Sequence, residues 1–152
     1  MDPFSPQTFL PALSVTSRPN IGDPYTIQVG YSDGSSENVP LTVTTVLDTF
    51  PMSLAPVTGA PAGTTPLFSW AAPSPPPLFP YTYSLWIGAQ FGGQIWQYPS
   101  KGNMPSTQTS VAYNTDNSAF QPSLTPGVIY NWTVNVRDAT GNSAQQTVEY
   151  KP

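Results

Sequence analysis

Apolar and polar residues alternate along this chain in short runs with a period of two. Residues 25–31, Tyr-Thr-Ile-Gln-Val-Gly-Tyr, place Tyr25, Ile27, Val29 and Tyr31 on one side of an extended strand. Ser32-Asp33-Gly34-Ser35-Ser36 follows as a turn. Residues 39–47 read as the returning strand, with Leu41, Val43 and Leu47 on one face, and the two runs predict a hairpin. Residues 13–16 predict one short strand before it. Further runs occupy 67–70, 81–87, 94–98, 108–113, 130–136 and 145–150. In the cleanest of them Tyr130, Trp132, Val134 and Val136 share one face, while Asn131, Thr133, Asn135 and Arg137 share the other. One buried and one wet face per strand is the pattern of an antiparallel sheet. Many short strands at roughly even spacing predict an all-β fold, an antiparallel β-sandwich. Helical spacing is missing, and prolines interrupt most windows long enough for a helix.

Two segments interrupt this pattern. Residues 55–66 form either an inter-module connection or a first strand plus turn. Pro73-Ser74-Pro75-Pro76-Pro77 predicts a stiff polyproline II connection between strands. The chain also repeats itself: Tyr25, Ile27, Val29 and Asp33 match Tyr130, Trp132, Val134 and Asp138 in order, at an offset of 138 − 33 = 105 residues. That is close to the length of one sandwich domain. The expectation is a partial β module over 1–50, the last strands of a preceding repeat, and a complete sandwich over 51–152. Three strands make one sheet, which leaves the face of Tyr25, Ile27, Val29, Tyr31, Leu41 and Val43 open. Such a face is expected either to pack on residues 51–152 or, the favoured outcome, to be covered by other protein modules, by upstream strands of a parent protein, or by copies of the chain through strand addition.

Composition narrows the function. The 152 residues contain no Cys and no His. Thiolate and imidazole catalysis, disulfides, and Cys/His metal centres are therefore excluded within the chain. Charged residues are only 8% and the net charge is −4, which argues against a nucleic-acid partner. Aromatics at 12% argue for a packed core over disorder. No apolar run approaches the roughly 20 residues of a membrane-spanning helix. Residues 1–6, Met-Asp-Pro-Phe-Ser-Pro, carry neither the basic nor the apolar region of a signal peptide, so an excised piece or a mature form is expected.

Leu124-Thr125-Pro126-Gly127 leads into a strand that starts at Tyr130, and Asp138-Ala-Thr-Gly141-Asn142 precedes the last strand. This stretch resembles the second half of a fibronectin type III domain. The resemblance covers roughly residues 54–150 and implies a fibronectin type III-like or immunoglobulin-like module of a bacterial extracellular multidomain protein. It implies a tyrosine corner, in which the Tyr130 hydroxyl bonds back to the backbone upstream near Leu124 and Pro126. It also implies that Trp70 is the buried tryptophan of the second strand, and that Tyr83, Leu85 and Ile87 face inward from the third. The long 71–80 segment and the first fifty residues depart from the family pattern.

Candidate sites are few. Most of the eight carboxylates sit in Gly/Ser/Asn turns and suggest no paired cleft, so no catalytic residue, cofactor or metal site is expected. Asp33 and Asp138 offer hard oxygens for calcium, but they read better as turn formers. Asn131-Trp132-Thr133 is a formal glycosylation sequon lying inside a strand. The aromatics are the stronger candidates. Trp86 alternates with Leu85 and Ile87 and so points outward, and Trp96 and Tyr98 lie on the next strand. Exposed together, Trp86, Trp96 and Tyr98 would form a ligand or interface surface that stacks on sugar rings. Trp70, Leu124, Pro126, Tyr130 and Trp132 are expected to be structural. The overall expectation is a non-catalytic module, extracellular or on the cell surface, for spacing, adhesion or filament assembly. The alternative is a polysaccharide-binding accessory domain.

Overall fold

The computed structural model describes residues 19–152. Among these no helix forms, and the elements are β-strands in antiparallel sheets. The strand expected at 13–16 lies outside the described residues. The chain divides into two units, Met1–Val46 and Leu47–Pro152, where the sequence pattern set the boundary after residue 50.

In the first unit β1 (Pro24–Gly30) and β2 (Ser36–Thr42) form a hairpin. Tyr25 lies opposite Leu41, Ile27 opposite Val39 and Val29 opposite Glu37. The strand expected to run to residue 47 stops near Val43. There the partner strand turns away: the Gly22 N–H donates to the Val43 carbonyl at 2.8 Å, and the Asn20 N–H donates to Asp23 Oδ2 at 2.7 Å. The hairpin keeps its apolar side bare, with Tyr25 40% and Ile27 52% exposed.

The second unit contains β3 (Met52–Ala55), β4 (Leu67–Ala71), β5 (Tyr81–Ala89), β6 (Gln94–Tyr98), β7 (Met104–Pro105), β8 (Ser110–Ala112), β9 (Tyr130–Asp138) and β10 (Ser143–Tyr150). One sheet has the order β3-β4-β8. The other runs β10-β9-β5-β6, with β7 also paired to β5. The three-stranded sheet packs against the five-stranded one as an antiparallel β-sandwich. Only β3 and β7 were invisible in the hydrophobic pattern. β3 is four residues long, with a register shift around Ser53 at φ 52°, and a bulged strand this short shows no alternation. The 72–80 connection bends at Ser74-Pro75 and again at Leu78-Phe79, and does not run as one straight polyproline rod.

Aromatic residues from both sheets fill the core. The Phe68 ring of β4 lies 4.8 Å from Trp132 of β9 and 6.3 Å from Trp96 of β6, centroid to centroid. Tyr83, Leu85, Ile87, Val134 and Val136 are fully buried around them. Three core aromatics bond through their polar atoms at the rim of the core, while Trp70 Nε1 and the Tyr83 hydroxyl are buried without a partner. Trp132 Nε1 donates to the Pro56 carbonyl at 2.8 Å, Tyr113 Oη to the Gln121 carbonyl at 2.9 Å, and Tyr150 Oη to the Gly63 carbonyl.

The hairpins of the two units have the same construction. Tyr31 N–H donates to the Ser35 carbonyl and Gly34 N–H to the Tyr31 carbonyl; Asp138 N–H donates to the Asn142 carbonyl and Gly141 N–H to the Asp138 carbonyl. Gly34 at φ 84° and Gly141 at φ 94° occupy the same left-handed position, which costs glycine nothing. The structural offset is therefore 138 − 31 = 107 residues, and 141 − 34 gives 107 again. The sequence match placed it at 105. Tyr25 is equivalent to Trp132, Ile27 to Val134 and Val29 to Val136. The difference of two preserves strand parity, so the apolar faces still correspond.

Candidate functional site

β5 sends Tyr83, Leu85 and Ile87 into the core, so Thr82, Ser84 and Trp86 face outward. β9 buries Trp132, Val134 and Val136 and turns Asn131, Asn135 and Arg137 the other way. Registry then decides what assembles. Trp86 pairs with Gln97 on one side and Thr133 on the other, and Ser84 pairs with Asn135. Residues directly opposite each other share a face. Below Trp86, Thr133 is fully buried, with its hydroxyl 2.7 Å from that of Thr147.

This outer face carries a concavity of about 430 Å³ lined by Ser84, Trp86, Gln97, Gly102, Asn103, Asn135 and Arg137. The loop between β6 and β7 forms one rim, and Gly102 at φ 74° sets its turn. Gln97 Oε1 accepts from Gln94 Nε2 at 3.4 Å, which leaves the Gln97 amide N–H groups available to donate. Asn135 Oδ1 is buried with no hydrogen-bond partner. The lining holds one charge, the Arg137 guanidinium, and no carboxylate.

The expected trio of aromatics does not assemble. Trp96 is 1% exposed, a correction to the outward placement read from sequence. Its register partner is Ile87, so it shares the inward face, and its Nε1 donates to Asp116 Oδ1 at 2.8 Å. Tyr98 pairs with Leu85 on that same face, half-buried, 5.6 Å from the Trp96 ring. Trp86 alone of the three lies on the outer face, where it is half-buried. Trp70, Leu124, Tyr130 and Trp132 are buried, and Pro126 is exposed in its turn. The Thr125 N–H donates to the Tyr130 hydroxyl at 2.9 Å, the upstream backbone bond that a tyrosine corner requires. Sequence reading missed Ser84, Gln97, Gly102, Asn103, Asn135 and Arg137 as a group. The wet face of 130–136 displayed Asn135 and Arg137, but the partner strand was unknown.

A second concavity, about 440 Å³, lies between residues 48–52, the bend at Ser74-Pro75 and Gln145-Gln146 of β10. Phe50, Met52 and Pro75 give it an apolar wall, and Asp48, Thr49, Ser74, Gln145 and Gln146 line the rest. Turns and neighbours occupy the carboxylates elsewhere. Asp33 accepts from Ser35, Asp116 from Trp96 and Ser118, Asp138 from Thr140 and Asn142, Glu37 from Tyr31, and Glu149 from Gln90. Burial pushes Asp116 and Asp138 upward, but these hydrogen bonds outweigh it and hold both below the ordinary carboxylate value. Among the described residues no three acidic side chains cluster as a cation site.

Strand order and register define the fold class: an all-β, antiparallel sandwich. No protein-family profile matches the chain, and no curated protein matches it in sequence. Among solved structures, the extracellular region of rat CD45, domains d3-d4, is similar at a TM-score of 0.45 and 10% identity. The alignment covers 95% of this chain and 75% of that one.

Proposed function

We propose that this chain is a non-catalytic part of an extracellular or cell-surface protein built from tandem sandwich modules, serving spacing, adhesion or assembly. The observation that carries the reading is the duplicated hairpin. In β9–β10 the inward positions Trp132, Val134 and Val136 are sealed beneath the β3-β4-β8 sheet; at the equivalent positions of β1–β2, Tyr25 and Ile27 are exposed. A hairpin built to the same register and turn is suited to the same kind of cover. Strands of another module, or of another copy, would supply it by completing a sandwich. The occupied carboxylates and the absence of His and Cys support a non-catalytic role.

Hydrogen exchange on the full chain tests this. In dilute monomer the amides of β1 and β2 should exchange orders of magnitude faster than those of β5 and β9. Protection should rise as self-association or an adjoining module covers the hairpin. Protection in the monomer equal to that of β9 would defeat the reading.

A further inference from the structure

We propose that the concavity around Trp86 binds a polysaccharide containing hexuronate units, a site distinct from the hairpin on which the module reading rests. Three features of the lining converge on that chemistry. Trp86 lines the concavity with a partly buried indole, and the axial C–H groups of a pyranose stack on an accessible ring of this kind. Gln97, Asn103 and Asn135 surround it with carboxamides, each offering a donor pair and an acceptor suited to adjacent hydroxyls. Asn135 Oδ1 is buried without a hydrogen-bond partner, and a turn of that side chain toward the concavity would let a sugar hydroxyl satisfy it.

Charge selects among sugars. Among the described residues Arg137 forms no ion pair, and no carboxylate lines the concavity with it. A planar guanidinium is the side chain best shaped to grip a carboxylate through two parallel bonds. Lys101 precedes Gly102 in the rim loop without lining the concavity, so Arg137 is the one cation of the lining, on a molecule of net charge −4. The geometry also favours a chain over a single sugar. Trp86 pairs with Thr133, and Arg137 lies four residues further along β9, about 13 Å at ~3.3 Å per residue. A ring stacked on Trp86 and a carboxylate held by Arg137 would then belong to different units of one strand of polysaccharide. A proline-rich peptide fits less well, because such peptides dock between several parallel aromatic rings, and Trp96 and Tyr98 are turned inward.

Titration calorimetry on the full chain tests the proposal, with hexasaccharides of hyaluronan, mannuronate and galacturonate as acidic probes. Cellohexaose and a proline-rich decapeptide serve as controls. At least one uronate probe should bind, ten-fold or more tighter than cellohexaose, and weaken as salt rises. Arg137→Gln, at an exposed position, should reduce that binding about ten-fold while leaving the melting temperature unchanged. Trp86→Ala should abolish it, with an intact near-ultraviolet dichroism spectrum as the check on folding. The proposal fails if no uronate probe binds, if cellohexaose or the peptide binds as tightly, or if Arg137→Gln has no effect.

Discussion

Two tyrosines separate the value of a satisfied hydroxyl from the cost of an unsatisfied one. The Tyr130 hydroxyl accepts from Thr125 N–H across the turn that carries Pro126 and Gly127. Tyr130→Phe leaves that N–H without its partner and should cost ~1–2 kcal/mol in a denaturant melt. The Tyr83 hydroxyl is equally buried but has no hydrogen-bond partner, although the Tyr81 and Trp70 rings pack edge-on against its ring, 5.5 Å and 5.3 Å away between centroids. Tyr83→Phe should therefore stay within about 0.5 kcal/mol of the parent, or exceed it. Equal losses in the two variants would contradict the hydrogen-bond assignment. The tyrosine corner was legible because Leu124-Thr-Pro-Gly127 and Tyr130 are close in sequence. The orphaned Tyr83 hydroxyl was not, since its surroundings come from distant strands.

At the scale of elements, three turns use one device: an aspartate accepts from a Ser or Thr two residues on, through both the backbone N–H and the hydroxyl. Asp33 with Ser35, Asp116 with Ser118 and Asp138 with Thr140 all do so. All three carboxyls lie below the ordinary value of 3.8, so the folded state favours the anion. Their contribution to stability is complete above that value and is lost as pH falls through it towards the lower folded values. With no histidine in the chain, the melting temperature should be level from about pH 5 to 8 and fall below about pH 4. Asp138→Asn should flatten the acid limb, because Asp138 is nearly fully buried and carries the most hydrogen bonds. An acid limb unchanged in that variant would show that Asp138 does not carry it.

For the molecule as a whole, the same carboxylates bear on metals. They are dispersed among turns, and those described above already accept hydrogen bonds, so among the described residues no acidic cluster gathers the six to eight oxygens that calcium takes. Melts in calcium and in EDTA should coincide. A rise of several degrees with calcium would signal a site bound by the folded state alone. The two units also differ in what they bury. Leu47–Pro152 closes a core between two sheets, while Met1–Val46 presents a hairpin whose apolar side is open.

Local pattern determined most of the strands, the turns, the sandwich class and the inward faces of β5 and β9. These depend on the two-residue period and on Gly, Pro and Asp chemistry within a few positions. Trp132, Val134 and Val136 were assigned inward from their own strand alone, and the structure buries all three. Registry between strands was beyond the sequence, because it depends on which residues meet across the sheet. It turned Trp96 inward against Ile87 and set Gln97 beside Trp86. It also joined Asn135 to Ser84 and moved the repeat from 105 residues to 107. The outer concavity is a product of that pairing: its residues come from β5, β6, β9 and the loop after β6, and only the folded sheet makes them neighbours.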